Sequence, residues 1–171
     1  AILQAASTQA AEAPAAPPVP PTPACASEAH AAFDFWVGEW NVRAQGSDKQ
    51  GAESKVERVS EGCVIRETWM PFRGFDGSSM TFINHRSGRW QQVWVGGNGV
   101  RIDFEGGIVD GKMVLTGYWD DLVGPDQDAL VRMTYSRMED GSVLQFGEAS
   151  TDHGVSWQTS FDLIYTRKDT E

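Results

Sequence analysis

Basic side chains are scarce in this chain of 171 residues: 14 Lys and Arg stand against 24 Asp and Glu, a formal charge of −10. Proteins that bind nucleic acid neutralise phosphates with clustered Lys and Arg, and the longest cationic run here is the pair Arg167-Lys168. No nucleic-acid partner is therefore expected, and anionic membrane surfaces are disfavoured for the same reason. No apolar run approaches the roughly 20 residues of a membrane helix, so no membrane span is expected. The chain also lacks a Gly-x-Ser-x-Gly elbow, a His-Glu-x-x-His pair and a Gly-x-x-x-x-Gly-Lys-Ser/Thr loop, which removes the usual marks of serine hydrolases, zinc peptidases and P-loop proteins.

Histidine is equally sparse. His30, His85 and His153 are the only three; the first falls in the plug region and the other two in hairpin turns, and a surface position is expected for each. A haem-binding barrel would need one inward axial His, and His153 is the only plausible donor because it precedes the final strand. Asp120, Asp121, Asp126 and Asp128 crowd one loop around Gly124-Pro125. Their spacing is not that of an EF-hand, and a solvated acidic loop is the favoured reading. The sequence thus calls for no metal, no cofactor and no assigned catalytic residue.

Cysteine is limited to Cys25 and Cys63. Two thiols without C-x-x-C spacing or accompanying histidines suit one structural bridge better than a zinc site, and a bridge suits an exported protein. Closing a loop of that length is worth on the order of 3 to 4 kcal/mol in the chain-entropy model. Two unrelated buried thiols are the alternative.

Residues 1–32 hold no Lys or Arg and only Glu12 and Glu28 as charges; Ala and Pro dominate. Their opening resembles the end of a secretory apolar region, with Thr8-Gln9-Ala10 before Ala11 as a tolerable cleavage site. The prolines from Pro14 to Pro23 favour an extended spacer. Residues 1–32 are therefore expected to be a signal-peptide remnant and flexible tail, and residues 33–171 a single barrel domain in a periplasmic or secreted protein. The tail could carry the barrel on an envelope protein partner.

Beyond residue 38 the hydrophobic pattern alternates with period two, broken by turn signals at Asp76-Gly77, Gly97-Asn98-Gly99, Asp110-Gly111 and Asp140-Gly141, and more weakly at Ser87-Gly88 and Gly106-Gly107. Strands are predicted near 39–46, 52–60, 63–71, 78–84, 89–96, 100–105, 112–119, 130–137, 142–149 and 155–166. So many consecutive short-linked strands leave two open edges unless the sheet closes. The expected fold is all-β: an antiparallel up-and-down β-barrel of about ten strands. Ser27 can cap a short plug helix, and Phe33, Phe35 and Trp36 can fill one end.

Gly38-Glu39-Trp40 at the first strand is similar to the Gly-x-Trp signature of lipocalins and their calycin relatives. That resemblance implies a Trp closing one end of the barrel beside a basic residue of the last strand, here Arg167. Phe33 to Trp40, Gly62 to Trp69, Trp90 to Val95 and Ser150 to Trp157 resemble a group of uncharacterised secreted bacterial calycin-like proteins. Those often carry Asp where Gly96 stands and Gly where His153 stands. The resemblance implies a fold and no established reaction.

Residues two apart on a strand share a face. Trp90, Gln92 and Trp94 go together, as do Ile65, Glu67 and Trp69, and Val143, Gln145 and Gly147. If these faces point inward, a carboxylate and two amides meet inside an aromatic cup. Trp36 and Trp40 are expected to be packing residues. Burying Glu67 demands a partner, with Arg132 or Arg101 as candidates.

The leading expectation is a protein that binds a small hydrophobic or aromatic ligand among Trp69, Trp90, Trp94 and Trp119. Glu67, Gln92, Gln145 and Arg132 would fix its orientation. Burying about 250 Å² of ligand would supply on the order of 6 kcal/mol before ordering costs. A rival is a filled barrel acting as an interaction module, favoured if the cavity falls below about 100 Å³, where ligand pockets usually reach about 300 Å³. A third is an enzyme using Glu67 as general acid or base, which requires a raised carboxyl pKa and an inward, accessible side chain.

Overall fold

In the computed structural model, which describes residues 24–168, ten antiparallel strands close into one barrel in sequence order. A short helix α1 (Glu28–Ala31) and a 3-10 turn (Asp34–Trp36) lead into β1 (Gly38–Ala44). Then come β2 (Gln50–Val59), β3 (Val64–Pro71), β4 (Gly77–Ile83), β5 (Trp90–Gly96) and β6 (Arg101–Val109). The circuit continues through β7 (Lys112–Gly124), β8 (Gln127–Arg137), β9 (Val143–Ser150) and β10 (Gln158–Arg167). β1 pairs with β2 on one side and, from Trp40↔Arg167 to Ala44↔Leu163, with β10 on the other. Closure leaves no free sheet edge. The expected signal remnant and the proline spacer lie outside the described residues.

Every predicted strand is present, and the departures are informative. Gly106-Gly107, expected as a turn, runs inside β6, and the reversal occurs at Asp110-Gly111, where both residues have positive φ. Gly106 is there for proximity: a Cβ on it would meet the Val114 carbonyl oxygen at 1.9 Å. Asp76-Gly77 is likewise no tight hairpin, since residues 72–76 form the connection and Gly77 opens β4. Ser27 occupies the N-cap position of α1 without capping a backbone N–H. Its hydroxyl bonds the His30 ring Nδ1 at 2.7 Å instead.

The up-and-down order sorts the connections onto two ends. At one end, Phe33 stacks on Trp36 with ring centroids 5.1 Å apart and meets Trp90 and Tyr135 edge-on at 6.1 and 5.2 Å. Trp36 and Trp40 are fully buried. Trp40 donates its indole N–H to the Trp36 carbonyl at 2.9 Å, and the Arg167 guanidinium lies 4.5 Å from the centroid of the Trp40 ring. Arg58 ties this plug to the wall through the Asp34 carboxylate and the carbonyls of His30 and Gly62. Cys25 and Cys63 are bridged beside it, spanning 38 residues of sequence. Among the described residues no helix is long and apolar enough to cross a membrane.

Candidate functional site

The other end opens. A cavity of about 180 Å³ enters the barrel there, with Trp69, Trp94, Trp119, Phe161 and Leu163 half-buried in its wall. Its floor is formed by buried Glu67, Gln92, Tyr135, Gln145 and Tyr165, with Phe104 and Met133 between them. Strand parity produces this arrangement. On β3, Ile65 is buried against the plug, Glu67 comes one pleat nearer the mouth, and Trp69 one pleat further. On β5, Trp90 packs on Phe33, Gln92 reaches the floor and Trp94 the wall. The Trp94 indole lies over Gly77, where a Cβ would approach it to 2.3 Å.

Glu67 is 4% exposed. Ser54 donates to its Oε1 at 2.8 Å, Ser79 faces Oε2 at 3.4 Å, and the Tyr165 hydroxyl lies 3.4 Å from Oε1. Burial pushes the carboxyl up to about 7, while the hydroxyls of Ser54, Ser79 and Tyr165 pull the other way. Tyr165 gives its one proton to a single acceptor at a time, and the nearer is Gln145 Oε1 at 2.7 Å. The Gln145 amide in turn donates to the Tyr135 hydroxyl at 2.9 Å, and the Gln92 amide donates to Thr81 at 2.8 Å. Burial, reinforced by the Glu67 charge, raises both phenols well above their ordinary range, so they stay protonated.

Glu67, Trp69, Gln92, Trp94, Trp119 and Gln145 are thus brought together, and two other expected site residues are not. Trp90 belongs to the plug. Arg132 lies on the outer face of β8, paired with Glu148 at 2.9 Å, its guanidinium 4.1 Å from the Trp157 ring centroid. It cannot serve Glu67, because on β8 it is Ala129, Val131, Met133 and Tyr135 that turn inward. Arg101 is equally unavailable, held outside by Asp103 at 3.0 Å. His153 is exposed, its ring bonded to the Tyr118 hydroxyl at 2.9 Å, and it does not enter the barrel. Sequence reasoning missed Ser54, Ser79, Tyr135 and Tyr165. Alternation in β2 through Ala52, Ser54 and Val56, and in β8 through Met133 and Tyr135, carried the signal.

The fold and this geometry define a closed antiparallel barrel with an aromatic-walled, polar-floored pocket at one end. The chain matches no protein-family model, and no curated protein matches it.

Proposed function

We propose that the protein is an exported small-molecule-binding barrel of the calycin-like kind, taking one compact, largely apolar molecule into the Trp69–Trp94–Trp119 pocket. The carrying observation is a cavity of about 180 Å³ whose wall is aromatic and whose floor offers hydrogen-bonding groups. Apolar cavities of about 150 Å³ accept benzene, and pockets for drug-sized ligands start near 300 Å³. The occupant is therefore of one-ring size rather than a long lipid, and the cavity exceeds the volume that would favour a filled interaction module. The disulfide and the calycin-like signature support export.

Titrating the protein with 2-phenylethanol and indole while following tryptophan emission tests this, because three indoles line the pocket. A saturable emission change is expected, and Leu163→Trp, which fills the wall, should abolish it without unfolding the barrel. Absence of any response across such one-ring compounds would overturn the reading.

A second reading, in which Glu67 transfers a proton to or from a bound substrate, is favoured by its carboxyl lying at about 7, near the ideal for a general acid or base. It ranks behind binding because the hydroxyls beside the carboxyl are already engaged, those of Ser54 and Ser79 with Glu67 itself and that of Tyr165 with Gln145.

A further inference from the structure

We propose that the pocket's ligand is a small organic cation, an ammonium on a one-ring body, its charge against the Glu67 carboxylate and its body among Trp69, Trp94 and Trp119. This rests on the binding reading above and names the ligand class.

Glu67 is buried at the floor of the cavity without a counter-charge. The groups facing it are Ser54 from β2, Ser79 from β4, Gln92 from β5, Tyr135 from β8, Gln145 from β9 and Tyr165 from β10. β6 and β7 contribute Phe104 and Trp119. The titratable ones are the two phenols, both protonated, and among the described residues no Lys, Arg or His lines the cavity. An ionised carboxylate in such a place is costly unless a cation joins it. The two arginines expected as its partners, Arg132 and Arg101, are engaged outside, with Glu148 and Asp103.

The wall and the mouth favour the same class. Indole faces attract ammonium groups through the ring quadrupole, and boxes of them bind organic cations. The strand ends and turns around the mouth carry Asp48, Asp76, Asp120, Asp121, Asp126, Asp128 and Asp152 against Arg43, Lys49, Arg73 and Arg101. A rim with an excess of carboxylates favours the approach of cations over that of anions. A neutral ligand would use the aromatic wall but leave the carboxyl uncompensated.

The test uses the full chain and two probes of one shape, 2-phenylethylamine and 2-phenylethanol, titrated by tryptophan emission at pH 8 and pH 5.5. An alkyl ammonium stays charged at both. The amine is expected to bind at least about tenfold more tightly than the alcohol at pH 8. Its affinity should fall toward that of the alcohol at pH 5.5, about sevenfold for a tenfold preference, because a carboxyl titrating at about 7 has by then taken up its proton, while the alcohol is unchanged. Glu67→Gln should bind amine and alcohol alike. If the alcohol binds as tightly as the amine at pH 8, or Glu67→Gln keeps the preference, the cation assignment is overturned while the binding reading stands. If neither probe binds, both fall. Should Glu67→Gln fail to melt cooperatively, the wild-type pH comparison decides.

Discussion

Glu67 makes stability depend on pH in a direction opposite to that of an ion-paired carboxylate. Its carboxyl stands at about 7 in the folded barrel against an ordinary 4.5, so between those values the folded chain holds a proton that the unfolded chain has lost. Stability from this group is fully present below about pH 4.5 and is lost as pH rises through 7, by a total on the order of 3 kcal/mol. Urea midpoints should therefore fall from pH 5 to pH 8 in the wild type and stay nearly level in Glu67→Gln; a level wild-type profile would contradict the burial of an unpaired carboxyl. Arg132→Gln is the complementary case. Its pair with Glu148 is partly exposed and worth under about 1 kcal/mol, so the variant should bind pocket ligands as the wild type does. Assigning Arg132 to Glu67 followed charge alone, whereas the alternation of Val131, Met133 and Tyr135 already fixes the neighbouring Arg132 on the opposite face. Glu67, Gln92 and Gln145 were legible because each stands between apolar partners of its own parity. The hydroxyls that hold Glu67 were not, because Ser54 and Ser79 approach it only once β2 and β4 flank β3.

Strands were the most legible elements, since period-two alternation and Gly-rich turns are local signals. Turns were read less well, because a glycine serves two purposes that the sequence writes identically. At Asp110-Gly111 it supplies positive φ; at Gly106 and Gly77 it yields space to a neighbour. Gly77 shows how an element shapes the pocket. Gly77→Val would drive a branched side chain into the Trp94 indole and turn that ring out of the wall, at an overpacking cost of about 1 to 3 kcal/mol. The expected result is a folded barrel with a red-shifted emission and a lost ligand response; unchanged emission would mean that Trp94 does not rest on Gly77. At the closed end, the bridge from Cys25 anchors the start of a segment otherwise held by the buried Phe33 and Trp36 rings and the Arg58 bonds. Replacing both cysteines with serine should lower stability by about 3 to 4 kcal/mol through the freed loop, as read from denaturant midpoints. Ligand response should persist, because the pocket lies at the opposite end.

At the level of the whole molecule the decisive contact is the seam between β1 and β10, the pairing of residues most distant in sequence. Nine of the ten strand pairings join neighbours along the chain, and this one alone converts a meander into a vessel. The seam strand also delivers Tyr165, which packs against Trp36, Trp40 and Trp69 at centroid distances of 6.3, 6.3 and 6.4 Å and bonds Gln145 on the floor. Cavity floor and barrel closure therefore depend on the same strand, so the pocket should not outlast the seam. A chain ended after Trp157 would expose β1 and β9 as bare edges and open the buried Glu67 to water, a state prone to edge-to-edge association. Such a chain is expected to bind hydrophobic dyes, to associate on size-exclusion chromatography and to lose its cooperative melt, while a chain ended after Lys168 keeps all three wild-type properties. A monomeric, cooperatively melting 1–157 fragment would show that the meander stands without closure, and the pocket's floor would then need another origin than the ring of ten strands.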